Sequence, residues 1–127
     1  MKNPILTEYD KWISIDDIEV LNHGLNWSNW IDTYPCKGKW EIKLSDHNNL
    51  NREIKIFMPA SEWDQKDNYG FWRVYSGRIE FTKTELLIWQ NEKTPVRINY
   101  IETESEIELT IFNRPIKFKK NMQYNNL

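Results

Sequence analysis

Glu106-Ile107-Glu108-Leu109-Thr110-Ile111-Phe112-Asn113-Arg114-Pro115-Ile116-Lys117-Phe118-Lys119 alternates apolar and polar side chains on both sides of a short break. A period of two belongs to a half-buried strand, because successive side chains leave opposite faces of the pleat. Turning the chain at Phe112-Asn113-Arg114-Pro115 sets Ile111 opposite Ile116, Leu109 opposite Phe118 and Glu108 opposite Lys119. Apolar groups then meet on one face and opposite charges on the other, the agreement a sound register demands.

The pattern extends upstream. Closing Ile101 against Glu106 pairs Tyr100 with Ile107, Ile98 with Leu109 and Val96 with Ile111. A turn at residues 90–94 sets Ile88 opposite Val96 and Leu86 opposite Ile98. Another at Lys83-Thr84 sets Phe81 opposite Leu86 and Ile79 opposite Ile88. Three further segments, at residues 39–44, 50–58 and 71–76, complete eight antiparallel strands. Gly77 ends the third of these segments, and Ser45-Asp46-His47-Asn48-Asn49 supplies turn-forming residues. The link 59–69 is long and polar, with room for one helical turn at Ser61–Asp64.

Ahead of the strands the spacing predicts a short helix. Ser14 is placed to cap it, Asp16 and Asp17 would sit in its first turn, and Ile13 and Ile18 have staple spacing. Ile15, Ile18 and Leu21 would face the sheet, and Gly24 would stop the helix. The 127 residues thus read as one domain, with a helix and loops at 1–37, strands at 38–120 and a polar tail at 121–127.

A hydrophobic content of 39% suffices for a core without staples, and one cysteine, Cys36, permits no internal disulfide. The N-terminus lacks the apolar stretch of a secretory signal, and Leu86-Leu87-Ile88-Trp89 is too short to cross a bilayer. A soluble cytoplasmic protein is expected, with no membrane partner. A net charge of −2 argues against nucleic acid.

Eight consecutive strands leave two open edges unless the sheet closes, so a mainly β, up-and-down barrel is expected. Gly38-Lys39-Trp40, at the start of the first strand, resembles the Gly-x-Trp signature of lipocalins and their calycin relatives, which include fatty-acid-binding proteins. The resemblance implies that Trp40 plugs one end of the barrel under a cation from the last strand. Lys117, Lys119 or Lys120 would serve, with Arg114 less well placed. The family's Thr-Asp-x-x motif has no counterpart at Glu102-Thr103-Glu104-Ser105.

No catalytic constellation is visible. Cys36, His23 and Asp32 could be combined on paper, but such residues read more simply as a small buried thiol and loop groups. His23 and His47 lack ligand-spaced partners for a metal. Gly24, Gly38, Gly70 and Gly77 form no phosphate loop, and Asn26-Trp27-Ser28 is an idle acceptor motif in the cytoplasm. Neither an enzyme, a cofactor nor a metal is expected.

Surface chemistry is more informative. Alternation directs Glu102, Glu104, Glu106 and Glu108 to one side, and Glu8, Asp10, Asp16, Asp17 and Glu19 crowd the N-terminal segment. These acids are either a solvated face or a surface that steers a basic partner. Of seven tryptophans, Trp27, Trp30 and Trp63 fall in loops, where indoles are hard to bury. Trp89 and Leu87 point away from the apolar face with Arg97 beside them, either covered by the N-terminal segment or exposed as an interface anchor.

Three functions follow. A non-catalytic protein-binding inhibitor uses the acids and tryptophans together. In kind it resembles immunity proteins of bacterial contact-dependent growth-inhibition systems, which occlude a toxin's active site. The partner would be a basic toxin domain. The calycin resemblance instead implies a carrier of an apolar small molecule. A carbohydrate-binding module stacking sugars on tryptophans is the third.

Overall fold

The computed structural model describes residues 4–21, 35–45, 52–59 and 71–121. Among these residues ten strands follow a 3-10 turn, Ile5–Glu8: β1 (Lys11–Ser14), β2 (Ile18–Leu21), β3 (Pro35–Gly38), β4 (Glu41–Leu44), β5 (Glu53–Pro59), β6 (Phe71–Phe81), β7 (Glu85–Trp89), β8 (Val96–Glu102), β9 (Glu106–Ile111) and β10 (Arg114–Lys120). Eight of them form a closed antiparallel barrel in the order β1-β10-β9-β8-β7-β6-β5-β4, while β2 and β3 make a separate two-stranded ribbon.

The closed barrel of eight strands is as expected, but its membership differs. Residues 71–81 form one strand through Gly77 rather than two. The eighth strand is β1, which lies between β10 and β4, with Trp12 opposite both Lys120 and Ile42. The wall therefore begins at Lys11 and not at Gly38.

Among the described residues there is no α-helix, and the helix expected after Ser14 is replaced by β1, a bend and β2. Trp12 and Ser14 point inward and are buried, while Lys11 and Ile13 are half-buried on the outer face. Strand alternation thus overrides the capping pattern. The Ser14 hydroxyl donates to the Asp16 carbonyl at 2.9 Å and accepts from the Trp40 amide at 2.8 Å. It joins β1 to β4 instead of capping a helix. Gly24 and the turn expected at Ser61–Asp64 lie outside the described residues.

The turns moved two registers by two residues each. Phe112 and Asn113 both have positive φ, 55° and 61°. That makes a two-residue hairpin turn with the twist the strands need, so Arg114 pairs with Ile111, Ile116 with Leu109 and Lys117 with Glu108. Likewise Tyr100 pairs with Leu109 and Glu102 with Ile107. A slip of two keeps every side chain on its face, so the core assignment survived. The pairings of β6 with β7 and of β7 with β8 are as expected.

The inside of the wall is filled. Trp12, Trp40, Ile42, Ile54, Ile56, Leu86, Ile88, Leu109 and Phe118 keep no surface that water could touch. An eight-stranded barrel is just wide enough for its own side chains. A bulge in β6 opposite Ile56 and Phe57 keeps both Tyr75 and Trp72 in register with inward residues of β5.

One end is stoppered by the 3-10 turn. Ile5 and Leu6 are buried there, and Trp12 Nε1 donates to the Leu6 carbonyl at 3.1 Å. The Ile5 amide donates to Glu102 Oε2 at 3.0 Å, and the Leu6 amide donates to the Tyr100 hydroxyl at 3.3 Å. Arg52 donates to the Thr7 and Ser45 carbonyls and pairs with Asp10 at 2.7 Å. Its side chain is only 10% exposed, so it acts as a rivet between the stopper, β1 and β5. At the other end Phe112 meets Trp40 edge-on at 6.1 Å and tilts against Tyr75 at 6.4 Å.

Two outcomes follow. Arg52→Met should cost about 2–3 kcal/mol in chemical denaturation, because it strands two carbonyls and a carboxylate. Arg52→Lys should recover only part of that, having no planar fork. Burial pushes the Tyr75 phenol above its ordinary 10.0. Its folded form thus holds its proton more tightly than the unfolded chain, and stability should fall as pH rises above that value. Tyr75→Phe should remove part of the fall, as read from melting curves across the alkaline range.

Candidate functional site: the outer wall of strands β4 to β8

With the lumen occupied, side chains free to meet another molecule stand on the outside of the wall. Register places two outward rows across β6, β7 and β8. Arg78 lies opposite Trp89, Glu80 opposite Leu87, and Leu87 in turn opposite Arg97.

These residues form a connected cluster. Trp89 Nε1 donates to Glu80 Oε1 at 3.0 Å, and the Arg78 guanidinium lies 5.6 Å from the Trp89 ring centre. Arg97 pairs with Glu85 at 2.9 Å. Leu87 is only 6% exposed although it faces outward. Trp89 is half-buried and Arg97 exposed. The patch is thus a braced indole with a covered leucine beside it, held by polar contacts individually worth little.

A groove of about 530 Å³ opens beside Trp89, lined among others by Lys55, Arg73, Arg78, Trp89, Gln90 and Glu92. It forms where β7 ends while β6 continues. The Ser76 amide, past the end of β7, donates to the Gln90 side-chain carbonyl at 3.1 Å. Gly77 makes the close approach possible. A β-carbon there would lie 2.3 Å from the Trp89 carbonyl oxygen, and its φ is +157°. Only hydrogen fits.

The glutamates do not share one side. Glu102 has the parity of Ile107 and points to the stoppered end, where it accepts from Ile5 and from the Tyr100 hydroxyl. Glu104 is exposed in the β8–β9 turn. Glu106 and Glu108 are outward but stand opposite Lys119 and Lys117. The two-residue hairpin thereby sets a lysine column against the acids. Trp27, Trp30 and Trp63 lie outside the described residues.

The plug implied by Gly38-Lys39-Trp40 is partly present. Trp40 is buried near one end, and a β-carbon on Gly38 would sit 3.2 Å from Pro59. Among the described residues no last-strand cation lies over it. Lys120 instead stands 4.4 Å from the ring centre of Tyr9 and bonds its hydroxyl at 3.0 Å, and Tyr9 meets Trp12 edge-on. Tyr9, rather than Trp40, therefore lies under a last-strand cation.

Sequence reasoning missed a basic row. Lys11, Lys43 and Lys55 stand directly opposite one another across β1, β4 and β5. Each alternates with buried residues in its own strand, but the row exists only once β1 is recognised as part of the wall. Cys36 lies in β3, while His23, Asp32 and His47 lie outside the described residues. Among those described, no three His, Cys, Asp or Glu side chains converge as metal ligands. No described helix is long and apolar enough to cross a membrane. Comparison with protein-family models, curated proteins and solved structures finds no match to this chain.

Gly77→Ala should lower stability by about 2 kcal/mol or more, since it adds backbone strain to a steric clash. The change should appear as a lower denaturation midpoint together with altered indole fluorescence. An unchanged midpoint would show that β6 and β7 can separate at no cost.

Proposed function

We propose that this chain is a non-catalytic protein-binding module that docks partners on its outer wall around Trp89. The filled lumen carries the reading: a barrel whose inward side chains are closed to water offers its exterior for recognition. A half-buried indole over an arginine, next to a covered leucine and a groove, has the composition of an interface centre. The braces hold these side chains in place before contact, which reduces the entropy lost on docking.

Within that reading, the function we favour is an inhibitor of a toxin-like enzyme in the cytoplasm, acting by occlusion of its active site. Steric cover needs no reaction, cofactor or metal. The calycin-like barrel supports this choice in kind, because closed walls of this type can present a rigid surface. Of the glutamates, Glu104, Glu106 and Glu108 retain outward positions, with the last two facing lysines.

Co-expression with the product of the adjacent reading frame should give a complex that survives size-exclusion chromatography. Trp89→Ala should weaken it by about 30-fold or more, the scale of an interface hot spot. Circular dichroism should confirm that the variant keeps its fold. Absence of a complex, together with native mass spectra showing an apolar molecule retained by the purified protein, would replace this reading with the carrier.

A further inference from the structure

We infer that the basic pair Lys43–Lys55, continuing into the Trp89 groove through Arg73 and Arg78, binds an extended acidic segment of a partner protein. The inference deepens the proposed function by assigning the partner's chemistry, and it rests on that reading.

Neighbouring strands lie about 4.8 Å apart, so directly opposite side chains are first neighbours on the wall. Like charges in that position destabilise a sheet. Lys43 faces Lys55 directly. A chain of net charge −2 has carboxylates to spare, yet none interrupts this pair. Lys55 and Arg73 have no ion-pair partner among the described residues, and Lys43 is held over the Phe57 ring at 5.5 Å. Beyond Lys55 stand Ser76, directly opposite it, and Arg73, opposite Phe57. The last described member, Arg78, lies over Trp89.

The pair and the groove share Lys55, so one ligand can occupy both. A segment crossing three strands and entering the groove would span about 15 Å, four or five extended residues. Carboxylates would neutralise the pair, and an apolar or aromatic side chain would meet Trp89. Glu41 and Glu53 stand two residues from Lys43 and Lys55 on the same strands, Glu53 lies directly opposite Arg78, and Glu53 and Glu92 both line the groove. These acids repel a continuous phosphate backbone but can be avoided by a peptide whose charges are spaced. The observations therefore favour an acidic protein segment over nucleic acid.

Lys55→Glu separates the alternatives. It places a carboxylate opposite Lys43 and removes no contact made by Lys55 among the described residues. If the pair is a retained repulsion, the variant should melt a few degrees higher than the parent. Fluorescence anisotropy should show saturable binding of a labelled oligo-glutamate to the parent, weakened about tenfold by Lys55→Glu. Arg73→Glu should weaken it similarly, and amide shifts in the parent should cluster at Lys43, Lys55, Ser76 and Gly77. Equal or tighter binding of an oligothymidylate, no binding of oligo-glutamate, or a lower melting point for Lys55→Glu would each overturn the inference. A partner complex lost on Trp89→Ala but indifferent to Lys55→Glu would overturn it while leaving the docking wall intact.

Discussion

The insertion of β1 between β4 and β10 is the constraint on which the remaining structure depends. An antiparallel sheet always has two rows of unmet backbone donors and acceptors at its edges, and burial or pairing must satisfy them. Four residues satisfy both rows at once. The lumen then becomes a sealed volume that side chains must fill, and the outward side chains become a continuous surface. The 3-10 turn is carried into place by the same strand: Trp12 hangs from β1 and holds the stopper by donating its indole N–H to the Leu6 carbonyl. Closure, core and stopper are thus one cooperative unit.

The arrangement divides the molecule by role. Inward positions are mostly apolar and buried, with Ile79, Phe81, Val96 and Tyr100 half-buried, while polar groups at one end fasten the stopper, as with Arg52, Glu102 and Tyr100. On the outer wall Arg78 and Glu80 brace Trp89, and Glu85 pairs with Arg97 beside Leu87.

Much of this was legible in the residues. Period-two alternation located β7 to β10, and matching faces gave the correct partners for Ile79, Phe81, Leu86 and Ile88. Where the turn was short and strained the reading slipped by two. Phe112 carries no turn preference, so a left-handed pair at Phe112-Asn113 had no warning in the residue types. The strand count came out right for partly wrong reasons, because β6 was divided at Gly77 and β1 was read as the approach to a helix. Ser14-Ile15-Asp16-Asp17 has capping chemistry, but Trp12 and Ser14 already alternate with Lys11 and Ile13, and tertiary pairing decided between them. The outer cluster was nearly in reach: once Glu80 was opposite Leu87, Arg78 had to stand opposite Trp89. The lysine row was not, since it depends on β1.

Closure also sets an order in time. Trp12 and its partner Lys120 are separated by about a hundred residues, and bringing such distant segments together is entropically costly and slow. As the chain leaves the ribosome, β1 and β4 emerge early and can pair at once, but the other side of β1 must wait for the last strand to be made. Until then the nascent sheet carries one bare edge at β1 and another on its newest strand, with its greasy face open between them. The barrel is therefore most exposed to misassociation in the interval before β10 docks, and β1, the first of its strands in the chain, is the one that locks the last into place.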